Sequence, residues 1–130
     1  MKSITLSIVA VFLAWSALDF VIHGVILQSS YQATAQLWRP MDEMKMGVMY
    51  VAVLIAAVAF VCVYARFFRL RSVKTGAEYG AWFGLGAGVS MGYGAYAVMP
   101  IPYAMAFAWF LGTLVEGVVG GIITGAIIRK

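Results

Sequence analysis

Asp19, His23 and Glu116 are the acidic and basic residues that fall well inside the long apolar runs of this chain, away from the run ends. A charged acid near the centre of a membrane helix costs about 2.5–3.5 kcal/mol on the insertion scale. Two such acids therefore cannot face lipid while charged. They must face one another, the interior of a helix bundle or a wet cavity, or carry a proton. Ser16, Asp19 and His23 follow i, i+3, i+7 spacing and share one helical face. On the last apolar run Trp109, Thr113, Glu116, Gly120 and Thr124 form a second polar and small face. An Asp–His–Glu cluster can carry protons, hold a divalent cation or bind a cationic substrate, because each use needs a negative centre in low dielectric. The competing reading is structural: a buried, hydrogen-bonded lock between the first and last helices. In either case the two acids would repel if both were ionised, so the cluster is expected to hold at most one net negative charge near neutral pH.

Little else in the chain suggests chemistry. There is no nucleophile elbow, HExxH motif or phosphate loop, and no second histidine to complete a usual metal site, so no enzymatic activity, metal or cofactor is expected. The single cysteine, Cys62, excludes an internal disulfide and reads as a small apolar helix residue. Met41, Met44, Met46 and Met49 cluster at one entrance to the membrane. Thioether is a soft copper(I) ligand, but the irregular intervals and lack of partner cysteines favour flexible packing. Tyr93 reads either as part of an aromatic belt with Tyr96 and Tyr103 or as a cavity-lining residue one turn above Ser90.

The elements that must position these residues follow from hydropathy. Of the 130 residues 64% are hydrophobic and only 11% charged, and the mean hydropathy is +0.95. That places the chain among integral membrane proteins and leaves no room for a separate soluble domain. Four apolar spans, Ile4 to Gln28, Met44 to Ala65, Ala77 to Met99 and Tyr103 to Ile128, are each long enough to cross about 30 Å of hydrocarbon. The expectation is a single all-α domain, a membrane four-helix bundle. The first span follows Lys2 and contains Ala14-Trp15-Ser16, the pattern of a signal peptide, but its apolar run continues to Leu27 and reads as a retained helix. In the first connection Tyr31 and Trp38 suit the headgroup region, and Pro40, Asp42 and Glu43 resemble the first turn of the second helix. Lys2, Arg66, Arg69, Arg71, Lys74, Arg129 and Lys130 fall on one side of the membrane, against Arg39 and Lys45 on the other. By the positive-inside rule both termini are expected in the cytoplasm, and the basic loop needs no nucleic acid to explain it. In this arrangement Asp19 lies about 13 Å and Glu116 about 18 Å from the outer side, an offset of about one turn.

The third and fourth spans are rich in glycine. Gly76, Gly80, Gly84, Gly88 and Gly92 recur every fourth residue, and Gly117, Gly121 and Gly125 repeat the pattern. In water each interior glycine would weaken a helix by roughly 0.8–1 kcal/mol relative to alanine. In a bilayer helix is imposed, and such glycines let a neighbouring backbone approach. Gly80, Gly84 and Gly88 are expected to meet Gly117 and Gly121. Each fourth residue drifts about 40° around the helix, so only three consecutive glycines are expected to share one contact.

An acid in the first helix, a glycine-rich third helix ending in aromatic residues and proline, and a Trp-x6-acid-Gly run in the fourth resemble small four-helix bacterial membrane proteins of domain-of-unknown-function type. The residues carrying the resemblance are Asp19, Tyr93, Tyr96, Pro100, Trp109, Glu116 and Gly117. It implies the architecture and a bacterial inner membrane, and it implies no activity. Small multidrug exporters are similar in having four helices and a membrane acid. Their essential glutamate lies in the first helix, whereas Glu116 is in the fourth. The leading expectation is thus a transport or ligand-binding protein whose site is Asp19, His23 and Glu116 with Ser16, Thr113 and Tyr93, open beneath Tyr93 and the Met46/Met49 entrance. The alternative is an accessory subunit that packs through glycine faces, with further copies or other membrane subunits and the lipid bilayer as its partners.

Overall fold

The apolar runs fold as helices, and among the described residues there is no strand. The structure, a computed structural model, describes residues 1–129; Lys130, one of the basic residues weighed for topology, lies outside them. The helices are α1 (Lys2–Val21), α2 (Gln28–Ala33), α3 (Met46–Phe67), α4 (Val73–Val98) and α5 (Tyr103–Ile127). Three segments are long and apolar enough to cross a membrane: Lys2–Ile26, Met46–Phe67 and Tyr103–Ile127. At 26 residues α4 has the length, but Lys74, Glu78 and its many glycines dilute its hydropathy, and it is not one of the three.

The first span is not one unbroken helix to Gln28. Beyond Val21 it widens into a π-helical turn, Ile22–Ile26, closed by the Leu27 N–H donating to the Ile22 carbonyl at 2.9 Å. The backbone leaves helical geometry at Leu27, and the expected polar loop contains α2 instead. Pro40, Asp42 and Glu43 do not open the second long helix either. They belong to an isolated 3-10 turn, Met41–Glu43, and the extended backbone of Met44 separates that turn from α3.

Side chains stop and restart the chain between α3 and α4. Arg71 donates to the carbonyls of Phe68 at 2.9 Å and Ala65 at 2.5 Å, satisfying acceptors that a helix C-terminus leaves free. Ser72 then caps α4, its hydroxyl accepting from the Thr75 N–H at 3.0 Å. Tyr64, fully buried, holds the same corner: its hydroxyl donates to the Ser72 carbonyl and accepts from the Ser72 N–H, both at 3.0 Å.

Glycine determines how α4 meets α5. A Cβ at Gly76 would run into the Gly121 carbonyl, one at Gly80 into that of Gly117, and one at Gly84 would lie 2.8 Å from Leu114 Cα. The contact continues through Gly88 on Phe110 and Gly92 on Ala106. The five α4 glycines that recur every fourth residue are all buried against α5, more than the three that a straight pair would accommodate. A row that drifts about 40° per step stays in contact only if the two helices wind around one another.

Against this pair, α1 and α3 pack through larger side chains. Val11 and Trp15 meet Ala57, Phe60, Val61 and Tyr64 in a core that also takes Ile128. Trp15 stands edge-on to Phe60, their centroids 5.2 Å apart, and Tyr79 of α4 donates to the Phe60 carbonyl at 2.9 Å. Much of the outward surface is large and apolar, including Leu13, Phe20, Ile55 and Trp82, as expected of helices solvated by lipid.

Candidate functional site

Helix α1 and its π-helical turn supply Asp19, Ile22 and His23 to a cavity of about 350 Å³; α5 supplies Trp109, Gly112, Thr113 and Glu116, and α4 adds Met91. Two small residues on α5 let α1 come close. A Cβ at Gly112 would lie 2.9 Å from Ile22 Cδ1, and one at Gly120 2.9 Å from Trp15 Nε1. Trp15 fills the space above Gly120 and donates its indole N–H to the Glu116 backbone carbonyl at 2.7 Å. Position 116 is thus tied to α1 through its main chain.

The side chains at the cavity are unequally satisfied. His23 Nε2 is 3.9 Å from Asp19 Oδ1, an ion-pair distance only if the imidazole is protonated. Its Nδ1 meets the Tyr31 hydroxyl at 2.6 Å, and that hydroxyl also accepts from Trp109 Nε1 at 2.7 Å. An indole N–H can only donate, so the phenol oxygen accepts there and its own proton is free for His23 Nδ1, the assignment we adopt. This assignment leaves the neutral imidazole's proton on Nε2, the side facing Asp19. Burial holds the Tyr31 phenol above its ordinary pKa; the Trp109 hydrogen bond pulls the other way, and the charge of Asp19 adds to the rise. Tyr31 therefore stays protonated, as its donor role requires. Asp19 lies within hydrogen-bonding reach of the Glu116 carboxyl, yet one oxygen of that carboxyl, Oε1, is buried without a hydrogen-bond partner.

Asp19, His23, Thr113 and Glu116 thus line one cavity. Ser16 does not. Its hydroxyl is buried with no partner, outside the lining. Tyr93 is also elsewhere, its hydroxyl 3.0 Å from that of Tyr103. Met91 lines the cavity instead, and two residues on a helix are about 200° apart, so Tyr93 faces away from it. Met46 and Met49 belong to a second, open groove of about 420 Å³ with Trp38, Arg39, Met44 and Lys45, which shares no lining residue with the first. The entrance envisaged beneath Tyr93 and these methionines is therefore not the mouth of the cavity.

Tyr31 and Trp15 are the important residues that sequence reasoning passed over. Tyr31 packs with Trp38 and Trp109 in an aromatic cluster, with centroids 5.4 and 6.5 Å away, and does so while bonded to His23. Nothing at its position in the sequence marks it beyond an aromatic side chain following a span. For Trp15 a signal does exist, since Trp15 and Asp19 stand at i, i+4 on one face. No family model matches the chain, and neither a curated protein nor a solved structure is similar to it.

Proposed function

We propose that the chain is a small four-helix protein of the bacterial inner membrane, both termini cytoplasmic, which binds or transports a ligand at the Asp19/His23/Glu116 cavity. Treating α4 as the fourth span is supported by its packing. It lies along α5 from Gly76 beside Gly125 to Gly92 beside Ala106, so a membrane crossed by α5 encloses α4 as well.

The observation that carries the reading is the unpartnered Oε1 of Glu116 beside Asp19 on a cavity large enough for a ligand. A structural lock would satisfy its polar atoms on one another, because a buried group left unpaired costs about 1–3 kcal/mol, and more if charged. Here Glu116 Oε1 stays unpaired even with Asp19 in reach, and Asp19 and His23 stand 3.9 Å apart. The arrangement suits a site that waits for a ligand better than a finished interhelical bond. Asp19→Asn and Glu116→Gln, reconstituted in proteoliposomes, are expected to lose ion-coupled flux at least tenfold while helix content and oligomeric state stay at wild-type values. Unchanged flux in both variants, or its absence in the wild type under every ion gradient, would sink the proposal.

A second reading, an accessory subunit of a larger membrane assembly, is favoured by a different face. Gly80, Gly84, Gly88, Gly117 and Gly121 are consumed within the chain, so they cannot serve a partner. Gly86 and Gly94 have open space beside them, and Trp82 on the same helix is 74% exposed. Under this reading Gly86→Leu abolishes co-purification of a partner and the acid substitutions are harmless.

A further inference from the structure

We infer, building on the reading of this cavity as a ligand site, that its ligand is a small organic ammonium ion carrying N–H groups. The first argument is the balance of donors and acceptors. Trp109 spends its only N–H on Tyr31, and His23 Nδ1 is occupied by the same hydroxyl. Of the lining that remains, His23 Nε2–H faces Asp19 and the Thr113 hydroxyl can donate or accept, while the Asp19 carboxyl and the Glu116 carboxyl with its unpartnered Oε1 leave acceptors in excess. An anion would meet two acids there, whereas an ammonium N–H supplies what Oε1 lacks.

The second argument is size. Asp19, His23 and Glu116 share the cavity, yet among the described residues no three His, Cys, Asp or Glu side chains are placed so as to hold one metal ion. A bare divalent ion needs oxygen ligands at about 2.0–2.6 Å from a single point. A molecular cation reaches separated groups without that convergence, and about 350 Å³ is at the lower end of small-molecule sites. The third argument is the apolar wall. Ile22, Met91 and Trp109 line the same space, and a short alkyl chain would cover them while the indole face attracts positive charge.

The probe is n-butylammonium, measured by equilibrium dialysis against the full chain in nanodiscs of neutral lipid, with n-butanol, tetramethylammonium and magnesium as comparators. Saturable binding of one butylammonium per chain is expected, at least tenfold weaker in Asp19→Asn and in Glu116→Gln. Glu116→Asp, which keeps the charge on a shorter stem, should retain binding and so separates loss of charge from loss of fold. Butanol should not compete, and tetramethylammonium should bind more weakly because it has no N–H to offer Oε1. Equal binding of tetramethylammonium overturns the hydrogen-bond argument. Acid-dependent binding of magnesium without butylammonium overturns the ligand class and leaves the cavity as a site. Binding of neither, or binding indifferent to both acid substitutions, overturns the cavity reading as well.

Discussion

Replacing Gly80 by alanine adds one methyl group where α4 and α5 touch backbone to backbone. That Cβ would lie 2.7 Å from the Gly117 carbonyl carbon and 3.1 Å from Val118 Cα, whereas carbon atoms rest about 3.5–4.0 Å apart. The helices must part by about 1 Å there. Neither neighbour is the tip of a flexible side chain, so the displacement spreads toward Gly76 and Gly84, whose contacts are also backbone. Overpacking of this kind costs about 1–3 kcal/mol, against at most about 1 kcal/mol gained because alanine is the better helix former. A Cβ at Gly86 meets nothing within 4 Å, so Gly86→Ala keeps only the gain, up to about 1 kcal/mol. The two substitutions, chemically identical and six residues apart on one helix, are therefore expected to move stability in opposite directions. Titrating dodecyl sulfate into dodecyl maltoside micelles and following helix content by circular dichroism gives both midpoints. If Gly80→Ala is as stable as wild type, or if both variants shift the same way, the close α4–α5 contact is wrong.

Two other perturbations probe polar contacts. Tyr64→Phe removes both bonds to Ser72 and leaves a main-chain donor at the start of α4 unpaired; a loss of about 1–3 kcal/mol is expected in the same titration, and an unchanged midpoint would contradict it. Tyr31→Phe tests the bridge to His23 through alkaline pH. Because the Tyr31 phenol ionises later in the folded chain than in the unfolded one, its contribution is complete below about pH 10 and falls as pH rises past that value. The stability difference between wild type and Tyr31→Phe should narrow there; a difference independent of pH would show that the phenol is not held in its protonated form.

The members of the site that were legible in the sequence were those under the tightest physical constraint. Asp19, His23 and Glu116 sit in apolar runs with few tolerable surroundings, and Thr113 lies on the same helical face as Glu116. Three spans follow directly from hydropathy. The role of α4 was harder to read, because glycine both lowers hydropathy and permits close packing. Tyr31 was out of reach for a different reason. Its meeting with His23 and Trp109 depends on the break at Leu27 and on α2; the one glycine there, Gly24, lies inside an apolar run that otherwise reads as continuous helix. Tyr93 was misplaced by a step of two residues, enough on a helix to turn a side chain to the opposite face. The length of the glycine contact depends on the winding of α4 and α5 around one another, which spacing along a single helix does not carry.

The backbone contact between α4 and α5 also bears on movement. Where two main chains touch through glycine there is no compliant layer between them, so the pair shifts as one rigid blade. The other wall of the cavity is mounted differently: α1 rests on α5 through Ile22 at Gly112 and the indole of Trp15 at Gly120, contacts that can slide by rotamer adjustment. Widening or narrowing of the space beside Glu116 is therefore a shear of α1 over a fixed α5. Such a shear has to break or stretch the Trp15 bond to the Glu116 carbonyl, which fastens α1 to α5 beside the cavity.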